Sequence, residues 1–275
     1  MGFKVFISAD MEGISGVVHS EHTSRSGKEH DYARKLMTSE VNAAIEGALN
    51  AGASEIIVND SHGTMRNILI DQLNPKAKLL TGSPKLLSMM QGIDSTFNAV
   101  FFIGYHAKSG TRIGVLDHTI SGRVISDIVI NGVSVGEVGI NAAIAGYFNV
   151  PVVLVTGDNS VINEARRLLG DIESVVVKRA VGRYAALCLH PNIVHEKIRE
   201  AAQRALERLS DFKPFRFNSP VKVEVTFANS GMAEMAELIP GVQRVDGKKV
   251  SFMHKDYLTA FKILRAMIYL ASTVL

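Results

Sequence analysis

Two acids, Asp10 and Glu12, stand where a short apolar run, Lys4–Ala9, gives way to the glycine-rich stretch Gly13-Ile14-Ser15-Gly16. Carboxylates so spaced, leaving a strand into a turn, can face one cation. A divalent metal supplies the charge compensation that burying such a pair demands. Taken alone, the pair reads more readily as solvated loop acids. The setting recurs, however, with a different side chain. His62 closes Val58-Asn59-Asp60-Ser61-His62-Gly63, and His106 closes Phe101-Phe102-Ile103-Gly104-Tyr105-His106. Each histidine comes just beyond an apolar run, placed to offer a ring nitrogen to a metal, and Asp60 or Ser61 is placed to hold the other nitrogen of His62. Three strand ends each bearing a metal-competent group argue against three unrelated loop residues.

Two further residues stay open on spacing alone. Glu137, in Gly136-Glu137-Val138-Gly139-Ile140-Asn141, falls in the first turn of an expected helix, where the helix dipole favours a carboxylate without any metal. Asn141 lies one turn further along the same face. His118, in Val115-Leu116-Asp117-His118-Thr119, is suited either to proton transfer beside a metal or to a plain loop contact with Asp117. Imidazole and carboxylate donors without thiolate suit zinc, manganese or cobalt. Three acids and two histidines exceed the needs of one four-coordinate zinc. They fit two metals that share a bridging carboxylate roughly 3.5–4 Å from each other, a hydrolytic arrangement.

Other chemistries lack their motifs. The chain has no His-Glu-x-x-His helix, no Gly-x-Ser-x-Gly elbow and no phosphate-binding Gly-x-x-x-x-Gly-Lys-Ser/Thr. The only cysteine, Cys188, carries no nucleophile signature and excludes an intrachain disulfide, which fits a reducing cytoplasm. His190 and His195 do not share a helix face and read as surface residues. His19, His22 and His30 lie in a polar loop and read as facing solvent or a neighbouring subunit.

The elements that must position these groups alternate. Lys4–Ala9, Glu55–Asn59, Ala99–Gly104 and Val152–Thr156 are compact apolar runs, as expected of strands covered on both faces. Between them come helices over about Asp31–Ala51, closed by Gly52, then Gly136–Asn149 and Ser160–Leu169. That order predicts an α/β fold, a three-layer αβα arrangement around a mainly parallel sheet. Arg123–Val135 breaks the pattern, reading as a hairpin turned at Asn131-Gly132. From about residue 170 the theme changes: a strand at Ser174–Ala180, a charged helix near Asn192–Leu209 and a Pro-bounded linker, Lys213–Pro220. Then follow a strand at Val221–Ala228, a short helix, a hairpin at Asp246-Gly247 and a last helix from Lys255. The expected division is a catalytic α/β domain over residues 1–170 and a smaller α+β domain over 171–275, for assembly or for completing the pocket.

Bulk composition narrows the classes. Of 275 residues, 47% are hydrophobic and 21% charged, an ordinary globular profile with no disordered tail. The net charge is only +3 and the basic residues are dispersed, so neither nucleic acid nor a membrane surface is an expected partner. No stretch reaches the roughly 18 apolar residues of a membrane helix. The apolar start runs straight into Asp10 and reads as a buried strand.

Ser8-Ala9-Asp10-Met11-Glu12-Gly13, Asn59-Asp60-Ser61-His62, Gly104-Tyr105-His106 and Gly136-Glu137-Val138-Gly139-Ile140-Asn141 together resemble the zinc-dependent D-aminopeptidases encoded in bacterial dipeptide-transport operons. Phe227-Ala228-Asn229, Ala233-Glu234 and Pro240-Gly241 continue the resemblance, which spans nearly the whole chain. It implies a metalloprotease with two zinc ions per subunit, held by Asp10 as bridge with Glu12, His62, His106 and Glu137. It implies His118, in Gly114-Val115-Leu116-Asp117-His118, as the catalytic histidine. It further implies a decamer of two stacked five-membered rings with the sites facing an inner channel. The substrate would be a short peptide with a free amino terminus, and D or L preference stays open because the loops Val17–Glu29 and Lys108–Arg112, candidate pocket linings, depart from the family pattern. Two other readings stand beside it: a metal-dependent amidase or phosphohydrolase on the same ligands, and a non-catalytic peptide-binding partner of a transporter.

Overall fold

The computed structural model describes residues 2–275. The chain opens with β1 (Phe3–Ala9), a short helix α1 (Ser20–Thr23) and the long α2 (His30–Asn50), then β2 (Ala53–Asp60), β3 (Ala77–Leu80) and β4 (Ala99–Tyr105). A hairpin of β5 (Ile125–Ile130) and β6 (Val133–Ser134) leads into α3 (Glu137–Tyr147), β7 (Val152–Asp158) and α4 (Asn159–Leu169). Then come β8 (Glu173–Gly182), β9 (Ala185–Cys188), α5 (Pro191–Glu207), β10 (Val221–Phe227), α6 (Ser230–Glu237), β11 (Gln243–Asp246), β12 (Lys249–His254) and α7 (Tyr257–Ala271).

Local chemistry sets many of these ends. Asp158 caps α4 by accepting from the backbone N–H groups of Ser160 and Val161, both at 2.9 Å. Asp256 caps α7 by accepting from Thr259 N at 2.8 Å. Pro191 opens α5, where its missing N–H costs no hydrogen bond. Asn131 and Gly132 adopt φ of 50° and 82°, as the tight hairpin turn requires.

The strands form two sheets. The larger runs β3-β2-β1-β4-β7-β8-β9 and is parallel except for the terminal β9. The smaller, β11-β12-β10-β5-β6, is antiparallel. Every residue of β4 and β7 is buried, which accounts for the apolar runs Ala99–Ile103 and Val152–Val155 within them. One face of the large sheet is covered by α2 and α5, with Val5, Ile7, Met37, Val41, Phe101 and Ile198 in the shared core. The other face, carrying Phe6, Val100, Phe102 and Val155, meets α3 and α4 and continues into the core of the smaller sheet with α6 and α7.

The chain does not pass from one sheet to the other at residue 170. The β5–β6 hairpin belongs to the small sheet, paired through β5 with β10, while β8 and β9 complete the large sheet and α5 covers it. Pairing partners some ninety residues apart carry no mark in local sequence. Among the described residues no helix is long and apolar enough to cross a membrane.

The connections β1–β2–β3 run outward on one side of β1, whereas β4 and β7 lie on the other. The β1/β4 boundary is therefore the switch point of the sheet, where crevices form beyond the carboxyl ends of parallel strands.

Candidate metal centre

The site is built by register. Ala9 is paired with Asp60 on one side and with Ile103 on the other, so Asp10, His62 and His106 emerge from three adjacent strand ends. Two close backbone approaches fix Glu12 beside them. Gly13 N donates to Gly104 O at 2.8 Å, and Asp10 N donates to Ile103 O at 2.8 Å. A Cβ on Gly13 would collide with the carbonyl of Tyr105, and one on Gly104, whose φ is 71°, with the carbonyl of Asp10. Only glycine permits this contact between the two segments.

Asp10, Glu12, His62, His106 and Glu137 are all buried here, and His118 is half-buried. Nδ1 of His62 lies 2.8 Å from Glu12 Oε2 and 3.3 Å from Asp10 Oδ1. Nε2 of His106 lies 3.4 Å from Asp10 Oδ2 and 3.5 Å from Glu137 Oε1. The His118 ring stacks on His106 with centroids 4.0 Å apart, and its Nε2 is 3.8 Å from Glu137 Oε1. One ligand atom each from Asp10, Glu12 and His106 falls within a 4.8 Å cluster, and His106, His118 and Glu137 form a second.

Backbone carbonyls hold the far side of each ring. His62 Nε2 pairs with Thr23 O at 2.8 Å, His106 Nδ1 with Ala107 O at 3.0 Å and His118 Nδ1 with Leu116 O at 2.9 Å. Each carbonyl accepts a hydrogen bond from the ring N–H, which leaves the other ring nitrogen facing the acids, where it can take a metal or a proton. The partners expected from sequence are replaced. Asp60 instead accepts from Asn67 N and Ile68 N and shapes the loop after β2, and Ser61 Oγ pairs with Ser8 Oγ at 2.8 Å. Asp117 is bound to Arg183 and to Gly110 N rather than to His118.

Three atoms of the cluster, Asp10 Oδ2, Glu12 Oε2 and His106 Nε2, are buried without a hydrogen-bond partner. Orphaned donors and acceptors of this kind are costly unless another charge meets them, and mixed N and O donors at one point are a zinc-type set. The donor set therefore fits a metal. The electrostatics agree. Burial, reinforced by Glu12, pushes the Asp10 carboxyl up to about 7. Burial would also raise Glu12 and Glu137, but the rings of His62 and His106 beside them hold both below the usual carboxylate range. Burial and the neighbouring His106 lower the His118 imidazole, keeping it neutral.

Supporting residues complete the floor. Asn141 donates to Tyr105 Oη at 3.0 Å, and that hydroxyl pairs with Ser8 Oγ at 2.7 Å. Asp158 accepts from Val115 N at 2.7 Å and anchors the loop that presents His118. Lys178 and Glu40 went unrecognised in the sequence. Lys178 is fully buried, and its ammonium donates to the carbonyls of Glu12, Ile14 and Val17, while Glu40 accepts from Ser15 N at 2.8 Å. Together they clamp the turn that follows Glu12. The signal was a lysine directly after the apolar run Val175-Val176-Val177. His30 is buried rather than solvent-facing, with Nδ1 3.0 Å from His22 O.

A cavity of about 710 Å³ opens over the cluster. Ser20, Thr23 and Ser24 line it, as expected of the Val17–Glu29 loop, but nothing from Lys108–Arg112 does. Phe261 and Ile268 of α7 form part of its wall, so both sheet systems contribute to it.

The sequence profile of a peptidase family, M55, described as D-aminopeptidase, matches residues 3–266. The chain belongs to the M55 D-aminopeptidase family. This M55 member is 37% identical over 269 residues to a D-aminopeptidase of Bacillus subtilis (strain 168), a match covering 98% of this chain and 97% of the relative. Its fold is similar to a solved structure described as the Zn-dependent D-aminopeptidase DppA from Bacillus subtilis, a self-compartmentalizing protease. That similarity has a TM-score of 0.95 at 36% identity and covers 98% of each chain. The family that the four motifs resemble is thus the family found, and an M55 chain is where the strand-end acids and histidines come together.

Proposed function

We propose that this chain is a zinc-dependent aminopeptidase that removes the N-terminal residue, of D configuration, from short peptides. The observation that carries the reading is the buried set of unpartnered Asp10 Oδ2, Glu12 Oε2 and His106 Nε2 at the sheet's switch point, in a chain matched to the D-aminopeptidase family along most of its length. That membership favours peptide hydrolysis over phosphoester chemistry and over passive peptide binding.

Asp10, Glu12, His62, His106 and Glu137 would hold two zinc ions. Zinc bound there supplies Lewis-acid polarisation of a carbonyl and activation of water near neutral pH. The chain's own residues do the rest. His118, neutral and with Nε2 turned inward, accepts a proton as the nucleophile attacks and returns it to the leaving amine. Phe261 and Ile268 narrow the water-filled volume around the scissile bond. Assembly follows the same likeness: we propose a decamer of two stacked rings, readable as a mass ten times that of the subunit in light scattering.

The decisive experiment is metal analysis of the purified protein together with a screen of D- and L-aminoacyl peptides before and after chelation. Stoichiometric zinc, cleavage of the D series and loss of cleavage on chelation are expected. Cleavage that survives complete metal removal sinks the reading.

A further inference from the structure

The cavity carries basic residues that the metal-type cluster does not explain. Its acidic lining residues, Asp10, Glu12 and Glu137, are all buried in the floor. Its arginines lie further out: Arg123 and Arg183 are exposed and Arg265 is half-buried. Arg183 is already neutralised by Asp117. Among the described residues no carboxylate pairs with Arg123 or Arg265, so two guanidinium groups face the cavity with their charge unmatched.

Arg265 is held in place rather than free. One of its η nitrogens donates to the Tyr269 hydroxyl at 2.6 Å, and its guanidinium stands 4.9 Å from the centre of the Tyr269 ring, one turn along α7. A guanidinium carries five N–H donors in a planar fork, and this contact uses one of them. The remainder suit a planar, anionic acceptor, since the fork matches a carboxylate with two parallel hydrogen bonds. A short peptide offers such an acceptor in the carboxylate at its C-terminus, with its amino end at the metal-type cluster.

We propose that Arg265, assisted by Arg123, binds the free C-terminal carboxylate of a short peptide whose amino end lies at the metal-type cluster, so that the enzyme selects peptides with unblocked C-termini. The inference rests on the peptidase reading above and specifies its substrate.

The test compares a D-aminoacyl dipeptide with its C-terminal carboxamide, on zinc-loaded wild type, Arg265→Gln and Arg265→Lys. The wild type should favour the free acid in kcat/KM by at least ten-fold, mostly through KM. Arg265→Gln should bring the acid-to-amide ratio near one, and Arg265→Lys, which keeps charge without the fork, should retain an intermediate ratio. Because the ratio is taken within each variant, a misfolded fraction cancels. Calorimetric binding of a non-hydrolysable reduced-bond dipeptide acid and its amide should show the same loss. A wild-type preference that persists undiminished in Arg265→Gln, or no wild-type preference at all, overturns the carboxylate site while leaving the peptidase reading intact. Cleavage of neither substrate by the wild type overturns the peptidase reading, and the carboxylate site with it.

Discussion

At the level of single residues, His118 shows how a position can be separated from a role. It stacks on His106 and reaches toward Glu137, so its Nε2 is placed either to ligate or to move protons. In the proposed mechanism it moves protons. His118→Ala should then lower kcat by about 10²–10⁴-fold with zinc content unchanged. Loss of one equivalent of zinc in that variant would make it a ligand instead. Glu40 carries a different prediction. Burial pushes its carboxyl up to about 8, against the opposing pull of Ser15 N–H and Lys178. The folded state therefore holds a proton that the unfolded chain has released above about pH 4.5, and stability falls as pH rises toward 8. Lys178, lowered to about 8 by burial, acts in the opposite sense above that pH. Glu40→Gln keeps an oxygen for Ser15 N–H and removes the titration. It should gain on the wild type between pH 5 and 8 at a rate approaching ~1.4 kcal/mol per unit. Chemical denaturation at several pH values measures this, and parallel curves for the two proteins would refute it.

At the level of elements, the site depends on two backbone segments pressed together, the turn after β1 and the end of β4. Gly104 combines a left-handed φ with no room for a Cβ beside Asp10. Gly104→Ala should cost on the order of 1–3 kcal/mol from backbone strain alone. The accompanying shift of Asp10 and His106 should weaken zinc by at least ten-fold in a chelator competition, against a control of Gly170→Ala, where the glycine also has positive φ but a Cβ meets nothing. Equal effects on zinc from both substitutions would remove Gly104 from the site's architecture. These elements were also the most legible in sequence. The apolar runs of β1, β2, β4 and β7 announce strands covered on both faces, and the side chains just beyond three of them are the candidate ligands. The four-residue edge strands β3 and β9 were not legible, because each is only half-buried and has no continuous apolar run to mark it. Glu137 was legible only through the family motif, since a helix's first turn favours a carboxylate on its own account.

At the level of the whole molecule, the sequence shows that there are two structural themes but not where they exchange strands. The pairing of Ile128 with Val225 joins segments that no periodicity links, and it carries the hairpin before α3 into the smaller sheet. One consequence is that the candidate ligands span distant parts of the chain: Asp10 and Glu12 follow β1, His62 follows β2, His106 follows β4 and Glu137 begins α3. A metal held by these groups would cross-link four elements, and its removal should be felt beyond the site. A ligand bound only by the folded state stabilises it by RT ln(1 + [L]/Kd), ~4 kcal/mol at a thousand-fold excess over Kd. In a chain of this size each kcal/mol moves the melting temperature by roughly 2–4 °C. Chelation should therefore lower Tm by about 8–16 °C, and added zinc should restore it. The loss has a local signature too. Without the cation, Asp10, Glu12 and Glu137 repel one another in a buried space, so amide exchange should accelerate first at the turn after β1 and the loop after β4. Protection in the small antiparallel sheet should change least, since none of its strands presents a candidate ligand. A uniform gain in exchange across both sheets, or an unchanged Tm after verified metal removal, would show that the metal is not a structural tie between these strands.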